Sequence, residues 1–200
     1  MLILASNSPR RHEILSGAGY EFEVIPAKGE EVLPDLPPER AAVEIAKAKA
    51  LEVRKSLCGS EKYRGCVVLA ADTIVVLQDE IMGKPRDKAD ASRMLTALSG
   101  VSHTVITGVF VTQNEKSRSF YKRTSVEFHK LQKHEINAYI ATAEPFDKAG
   151  AYGIQEKGAL LVKGIRGDYF NVMGLPIAMT SRVLRDFGVT PTWQNPTLQV

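Results

Sequence analysis

Residues 66–77 read CVVLAADTIVVL, a nearly continuous run of apolar and β-branched side chains with one carboxylate, Asp72, near its centre. Runs of this kind are typical of a strand covered on both faces of a sheet. An ionised carboxylate inside such a strand costs desolvation free energy unless a cation or a hydrogen-bond donor meets it. Two interpretations of Asp72 therefore stay open: a structural ion pair, or a carboxylate that the protein uses chemically.

Strand-like and helix-like patterns alternate on both sides of this run. Strands are predicted at residues 2–5 and 21–27, a hairpin at 103–131, and helices from Ser8 and Pro9 to Gly17 and at 38–57, 87–98, 134–142 and 176–187. Interleaved elements of this kind predict an α/β fold with a mixed, twisted sheet flanked by helices. We expect one domain over residues 1–189 and a polar, frayed tail at 190–200.

The composition is that of an ordinary globular protein, with 200 residues, 44% hydrophobic residues and a net charge of +3. No run of five like charges indicates a nucleic-acid surface. Cys58 and Cys66 lie outside any zinc-binding or disulfide pattern. The apolar start at residues 2–5 is too short for a signal peptide, and no apolar run has the length of a bilayer. We expect a soluble, cytoplasmic protein that binds neither nucleic acid nor membrane.

Four cations occupy positions where a structural role is hard to find. Arg10 and Arg11 fall in the first turn of a helix, where the helix dipole disfavours positive charge. Lys49 falls on the apolar face of the second helix, and Lys84 lies in the segment GKP. Each alone is explained by a solvated or snorkelling side chain. Together with the backbone amides of a helix N-terminus, these cations suggest a polyphosphate-binding site.

The acidic residues suggest how a metal would enter such a site. Glu30 and Glu31 lie in an acidic, proline-rich loop, and with Asp72 they would hold a Mg²⁺-type ion that bridges phosphate oxygens. Solvated loop charges explain Glu30 and Glu31 equally well.

Several common nucleotide and hydrolase motifs are missing from the sequence. There is no G-x-x-x-x-G-K-[ST] segment, no G-x-G-x-x-G segment that opens a helix after a strand, and no G-x-S-x-G segment. The four histidines are scattered without metal-ligand spacing, which indicates surface or satisfied core groups: His12, His103, His129 and His134. P-loop, Rossmann and serine-hydrolase interpretations are therefore excluded.

The segment DKAGAYGIQ, residues 147–155, combines closely spaced glycines with a terminal glutamine. Its glycines indicate either close approach of the backbone to a ligand or a tight structural turn. The Gln155 amide offers one donor and one acceptor, which match the edge of a uracil or thymine ring, although any buried glutamine needs two partners.

Seven ordered blocks between residues 2 and 189 resemble the Maf family of nucleoside triphosphate pyrophosphatases: ILASNSPRRHEIL, IAKAKA, LAADTIVV, GKP, LSG, EPFDKAGAYGIQ and FNVMGLP. The resemblance implies an α/β fold related to the inosine triphosphate pyrophosphatases, with a central cleft, and a homodimer. It also implies release of pyrophosphate from nucleotides with a divalent cation, Mg²⁺ or Mn²⁺. The glutamine in the sixth block is similar to that of the branch acting on dTTP and UTP.

The resemblance also implies roles for individual residues. Asp72 would be the catalytic carboxylate and would hold the metal with Glu31, although the loop reads Glu30-Glu31 where many relatives have Asp-Glu. Base preference would depend on Arg11, Thr73 and Gln155, and the triphosphate would be bound by Ser6, Arg10, Lys49 and Lys84. The alternative function is a non-catalytic nucleotide-binding regulator of septum formation or cell division.

Overall fold

The run around Asp72 forms one long strand, β3 (Val67–Leu77), in the computed structural model, which describes residues 1–29 and 31–194. The other strands in this part of the chain are β1 (Leu2–Leu4), β2 (Phe22–Val24), β4 (Glu80–Met82), β5 (Ser102–Gln113), β6 (Lys116–Phe128) and β7 (Val162–Arg166). The α-helices are α1 (Pro9–Gly17), α2 (Pro38–Ser56), α3 (Lys88–Leu98), α4 (Lys133–Ala141), α5 (Tyr169–Met173) and α6 (Ile177–Asp186).

The strands form one mixed sheet in the order β2-β1-β3-β5-β6-β7, with β4 paired to β3. The pairs β1–β2 and β1–β3 are parallel, whereas β3–β4 and β6–β7 are antiparallel. Helices alternate with these strands along the chain, as the sequence pattern predicts. The predicted α/β class with a mixed sheet is therefore confirmed.

The first of two compact units comprises Met1–Asp72, Thr107–Tyr121 and the chain from Gly174 onward. In its core, apolar residues of α2 pack against the strands. The α2 residues are Ala46, Ala50 and Val53. Their partners are Ile3 of β1, Ala5 directly after it, Val68 and Ala70 of β3, and Phe110 of β5. A Cβ atom on Gly108 would lie 2.4 Å from backbone atoms of Ala42 and Val43, so β5 and α2 touch through their backbones. Only glycine permits this approach.

The second unit comprises Thr73–Ile106 and Lys122–Met173 and has a core of its own. Its core includes residues of α3 (Ala91, Met94, Leu95, Leu98), of α4 (Ile136, Tyr139, Ile140), and of β6 (Val126, Phe128). Helix α3 is capped by Asp87, where the predicted helix 87–98 begins: the Asp87 carboxylate accepts a hydrogen bond from the Asp90 N–H at 2.8 Å.

Two parts of the chain contain elements that the sequence pattern does not predict. Strand β4 follows a tight turn in which Gln78 and Asp79 have φ angles of 47° and 71°. The polar residues 78–80 predict this turn, but neither Gln78 nor Asp79 is the glycine that usually marks a hairpin, so the strand that follows is not predicted. The glycine-rich stretch after α4 contains β7 and α5 as well as short 3₁₀ helices.

The N-terminus of α1 begins where the sequence predicts but has no side-chain cap. Ser8 is the capping residue by position, but its side chain makes no capping hydrogen bond. Its backbone N–H instead donates to the Ser6 Oγ atom at 3.2 Å. Ser6 therefore orders the turn that leads into α1.

The described part of the predicted tail is docked rather than frayed. The Thr192 N–H donates to the Gly19 carbonyl oxygen at 2.8 Å, and the Trp193 Nε1–H donates to the Ala18 carbonyl oxygen at 3.0 Å. Both acceptors follow α1, so these bonds attach the segment to the first unit. Residues 195–200 of the predicted tail lie outside the described residues. None of the helices described here is both long and apolar enough to span a membrane.

Candidate functional site

Lys49 is the partner of the buried carboxylate in β3. Its Nζ atom lies 2.6 Å from Asp72 Oδ1 and 3.0 Å from Glu31 Oε1. The side chains of Lys49 and Asp72 are only 13% and 10% exposed, whereas that of Glu31 is 50% exposed. One lysine thus joins a buried carboxylate to one that reaches solvent. We call these three residues the acid–lysine cluster.

Helix α2 explains why Lys49 reaches Asp72. Lys49 follows Ala46 by three residues and precedes Val53 by four, which places it on the face that packs on the sheet. Lys49 lies on an apolar helix face because its ammonium group reaches the Asp72 carboxylate. Removing either partner would leave an uncompensated charge in a poorly hydrated place, which is strongly unfavourable.

Arg11 is the buried cation of the same unit. Its Nε atom donates to the Gly174 carbonyl oxygen at 2.8 Å, and its NH1 atom donates to Ser6 Oγ at 3.0 Å. Burial lowers the pKa of the Arg11 guanidinium, and the charge of Asp72 opposes that effect. A cation at the start of α1 is therefore tolerated because fixed acceptors and a nearby carboxylate compensate for the helix dipole.

Arg10 lies beside Arg11 in the first turn of α1 and is partly exposed. Its charge adds to the lowering of the Arg11 pKa, so the two guanidinium groups act on each other electrostatically. Two adjacent arginines at a helix N-terminus give this end of α1 a positive charge that attracts anions.

The fit of this region to a divalent metal depends on two carboxylates. Within residues 1–29 and 31–194, no group of three or more His, Cys, Asp or Glu side chains has the geometry to hold a metal ion. The Asp72 and Glu31 carboxylates nevertheless converge on one positive group, the Lys49 ammonium. Magnesium uses few protein carboxylates when phosphate oxygens and water complete its shell. Asp72 and Glu31 are the residues that would hold such an ion, and the metal stays a prediction.

Glu30, the other acid of the loop, lies outside the described residues. Glu31 is thus the loop acid that the structure places beside Lys49.

The other predicted site residues belong to the second unit. Thr73 directly follows Asp72 in β3, and Lys84 lies exposed between Gly83 and Pro85. The Gly150 N–H donates to the Gly83 carbonyl oxygen at 3.0 Å. This bond links the segment that contains Lys84 to the segment that leads to Gln155.

Gln155 lies in a tight loop formed by residues 153–158, named here the glutamine loop. Gln155 itself is partly buried, and the next residue, Glu156, has a φ angle of 54°. A Cβ atom on Gly158 would lie 2.1 Å from the Gly153 carbonyl oxygen, so the two ends of the loop touch. Among the residues described, no hydrogen bond involves the Gln155 side-chain amide. The amide is thus open to an external partner.

Two residues that the sequence did not single out hold the glutamine loop. The Tyr139 hydroxyl accepts a hydrogen bond from the Gly153 N–H at 3.2 Å and donates one to Glu144 Oε1 at 3.0 Å. Glu144 Oε1 also accepts from the Gly158 N–H at 3.1 Å. Glu144 opens the block EPFDKAGAYGIQ, but both contacts to the loop are made to backbone amides. The sequence therefore does not show that Tyr139 and Glu144 hold the loop.

His103 was expected to be a surface or satisfied core group, and the structure places it in the core. Its side chain is 3% exposed, and its Nε2 atom lies 2.7 Å from the Tyr152 hydroxyl, one residue before the glutamine loop. In the described chain its Nδ1 atom has no hydrogen-bond partner. Burial lowers the pKa of His103 to about 4, so the ring is neutral at physiological pH.

The predicted site residues therefore form two groups. In the first unit, direct contacts join Ser6 to Arg11 and join Glu31 to Lys49 and Asp72, with Arg10 next to Arg11. In the second unit, a backbone bond joins the segments of Lys84 and Gln155. Their roles in binding and catalysis stay predictions.

Comparison with known proteins gives a family assignment. A model of the family described as Maf-like protein matches residues 1–187. The chain is 47% identical over 191 residues to a protein of Bacillus pumilus (strain SAFR-032) named dTTP/UTP pyrophosphatase, covering 95% of this chain and 98% of that protein. A protein of the same name from Thermosipho africanus (strain TCF52B) is 48% identical over 188 residues, covering 94% of each chain.

A solved structure of a HAM1 protein from Coxiella burnetii has a TM-score of 0.49 and 17% identity, covering 92% of this chain and 98% of that one. The match to the family model spans nearly the whole chain, and the two relatives agree with it at high identity. This chain belongs to the Maf-like protein family.

Proposed function

We propose that this chain is a metal-dependent pyrophosphatase that hydrolyses dTTP and UTP to the nucleoside monophosphate and pyrophosphate. The names of the two relatives support the choice of substrate. The observation that carries the proposal is the acid–lysine cluster, in which Lys49 joins buried Asp72 to Glu31. A site that only bound phosphate would be better without carboxylates, because these repel the ligand.

Asp72 is the proposed catalytic residue. Its carboxylate orients the attacking water and accepts its proton, while attack occurs at the α-phosphate and pyrophosphate leaves. The apolar strand around Asp72 limits hydration and so strengthens its electrostatic interactions. Glu31 and Asp72 would hold Mg²⁺ or Mn²⁺, which when bound supplies Lewis-acid stabilisation of phosphate oxygens.

The cations of the chain are proposed to stabilise the triphosphate. Arg10 and Lys84 are both accessible, and each can neutralise charge that grows on the leaving pyrophosphate. Lys49 contributes a third positive charge from within the acid–lysine cluster. Ser6 would contact phosphate at the start of α1.

Recognition of the base is proposed to depend on Gln155, with Arg11 and Thr73 as further determinants. The Gln155 amide carries a donor and an acceptor side by side, and uracil and thymine present the complementary pair at O4 and N3–H. A site that hydrogen-bonds a polar edge discriminates strongly against bases that lack that edge, because its own groups would be left unpaired. The substrate preference follows from that complementarity.

A nucleotide panel tests the proposed function. The purified protein is incubated with dTTP, UTP, CTP, ATP, GTP and modified pyrimidine triphosphates, each with Mg²⁺, with Mn²⁺ or with a chelator, and pyrophosphate and monophosphate are measured. We expect equal amounts of both products, fastest from dTTP and UTP, and no release with the chelator. Release of orthophosphate in place of pyrophosphate would contradict the proposed bond cleavage. Tight binding of nucleotide without any release would favour the regulator.

A further inference from the structure

We propose that Tyr139 and Glu144 are positioning residues that fix the glutamine loop and thereby orient the Gln155 amide toward a pyrimidine base. This inference rests on the proposed function, since it concerns how the same enzyme selects its base. It concerns residues that neither contact phosphate nor belong to the acid–lysine cluster.

The Tyr139 hydroxyl is the centre of the arrangement. It lies on α4, is buried, and makes two hydrogen bonds: it accepts from the Gly153 N–H and donates to Glu144 Oε1. Burial raises the pKa of the Tyr139 phenol, so the hydroxyl keeps its proton and its role as donor. A phenol on a helix thus holds the first residue of the glutamine loop.

Glu144 holds the other end of that loop. Its Oε1 atom accepts both from the Tyr139 hydroxyl and from the Gly158 N–H. Two more bonds fix the backbone of Glu144, since its N–H donates to Thr142 Oγ1 at 3.2 Å and its carbonyl accepts from Lys148 Nζ at 2.6 Å. The carboxylate is therefore presented from a rigid segment.

The two ends of the glutamine loop are held by one connected pair of side chains. A Cβ atom on Gly158 would lie 2.7 Å from the Tyr139 hydroxyl as well as 2.1 Å from the Gly153 carbonyl oxygen. The loop thus closes directly on the hydroxyl that binds it. With both ends held, the backbone of Gln155 between them has fewer conformations available, while its side-chain amide has no hydrogen-bond partner among the described residues.

The polar pair binds the loop although one of its own atoms has no partner in the described part of the chain. The second carboxylate oxygen of Glu144, Oε2, is buried and has no hydrogen-bond partner within residues 1–29 and 31–194. Apolar residues of similar volume would remove that oxygen, but they would leave the N–H groups of Gly153 and Gly158 without their acceptors. Hydrogen bonds depend on angle as well as distance, so each contact of the pair fixes the orientation of one backbone N–H group of the loop.

The test compares variants by kcat and KM for UTP and for CTP, which differs at the edge that Gln155 is proposed to read. Tyr139→Phe removes the hydroxyl and keeps the ring. We expect it to lower the ratio of UTP to CTP kcat/KM by about tenfold, the effect of roughly one lost hydrogen bond, mainly through a higher KM for UTP. Glu144→Ala should act alike, whereas Glu144→Gln keeps an acceptor oxygen and should preserve the ratio within about twofold.

A matched control removes a buried hydroxyl elsewhere. Tyr20 is as buried as Tyr139, and its hydroxyl donates to Ser181 Oγ at 2.8 Å in the first unit. Tyr20→Phe should leave the UTP to CTP ratio unchanged. Loss of rate on both nucleotides in equal proportion in Tyr139→Phe, with the ratio kept, would overturn the proposal and assign a structural role only.

A double variant tests whether Tyr139 acts through Gln155. If it does, Tyr139→Phe combined with Gln155→Ala should show the same UTP to CTP ratio as Gln155→Ala alone, because the orientation of an absent amide has no effect. If the double variant lowers the UTP to CTP ratio by the product of the two single effects, Tyr139 acts on selectivity independently of Gln155.

Hydrogen exchange of the loop amides separates this inference from the proposed function. Tyr139→Phe should speed exchange at Gly153, and Glu144→Ala should speed it at Gly158, relative to Tyr20→Phe. Absence of pyrophosphate release by the wild-type protein would overturn the proposed function. Loop exchange unchanged in these variants would overturn the positioning role, whether or not the protein is active.

Discussion

At the scale of single residues, the candidate site balances its charges by contact. Lys49 pairs with both Asp72 and Glu31, while the buried guanidinium of Arg11 is hydrogen-bonded to a carbonyl and a hydroxyl and attracted by Asp72. The pairing with Lys49 offsets the desolvation free energy of the buried Asp72 carboxylate in an apolar strand.

Replacement of Asp72 by Asn should reduce kcat for UTP and dTTP by at least about a hundredfold, the scale of a lost general base. The amide cannot accept the proton of water at neutral pH, and it also removes the charge that pairs with Lys49. Steady-state pyrophosphate release measures the effect, with circular dichroism to show that the variant is folded. Asp186→Asn, at an exposed position, is the control and should be as active as wild type. Turnover of Asp72→Asn near the wild-type value would remove Asp72 from the mechanism.

His103 predicts a pH dependence of stability. Its folded pKa of about 4 lies below the value of about 6.5 in an unfolded chain. Between these values the unfolded state binds more protons, so the contribution is fully present above about pH 6.5 and is lost as pH falls toward 4. We expect wild type to lose roughly 2–3 kcal/mol through this group between pH 7 and pH 4.5.

Urea unfolding of wild type and His103→Gln at the two pH values measures this contribution, because glutamine does not titrate. The difference in unfolding free energy between the two proteins should shrink toward low pH. The exposed His134, replaced by Gln, serves as the reference for an imidazole outside the core. A difference that stays constant with pH would mean that His103 is protonated equally in both states.

At the scale of elements, the contact of α2 with β5 is a close backbone approach that depends on Gly108. Gly108→Ala would place a Cβ atom 2.4 Å from the backbone of Ala42 and Val43, so helix or strand must move. Overpacking of this kind costs about 1–3 kcal/mol of stability. Gly164→Ala in β7 is the matched control, since a Cβ atom there meets nothing within 4 Å.

Equilibrium unfolding in urea compares the two alanine variants. Gly108→Ala should unfold at a clearly lower urea concentration than wild type, and Gly164→Ala at an equal or slightly higher one. Equal midpoints for the two variants would show that α2 shifts away from β5 at little cost.

The elements that the sequence predicted are those with a strong repeating pattern. Helices α2 and α3 have apolar faces with helical spacing, and β3 is apolar on both faces, so hydrophobicity alone locates them. Strand β4 has three residues and follows a turn without glycine, and β7 lies within a glycine-rich stretch. These short strands form because they pair with β3 and β6, and such pairing cannot be read from the residues of the short strands alone.

The candidate site was predictable where a residue conflicts with its surroundings. Asp72 in an apolar strand and Lys49 on an apolar helix face each violate the local pattern, although nothing in their spacing says that they meet. Tyr139 and Glu144 fit their surroundings in the sequence and act on backbone N–H groups, which every non-proline residue has. The contacts of Tyr139 and Glu144 with the glutamine loop therefore become visible only in the folded structure.

At the scale of the whole molecule, the family match extends over residues 1–187, so the proposed activity concerns the chain as a whole rather than an attached part. The two relatives align over nearly their full length with this chain. A ligand that binds only the folded chain stabilises all of it by mass action. Stability in the presence of nucleotide therefore reports on binding without requiring turnover.

A non-hydrolysable UTP analogue with Mg²⁺ should raise the thermal unfolding midpoint. At one hundred times its dissociation constant, the ligand adds about 2.7 kcal/mol to the unfolding free energy. For a chain of this size that corresponds to a shift of roughly 5–10 °C. Differential scanning fluorimetry across a concentration series measures it, with the matching guanine analogue as control. The uridine analogue should act at lower concentration than the guanine one, and Gln155→Ala should reduce that difference. Equal shifts with both analogues would mean that the chain binds triphosphates without reading the base.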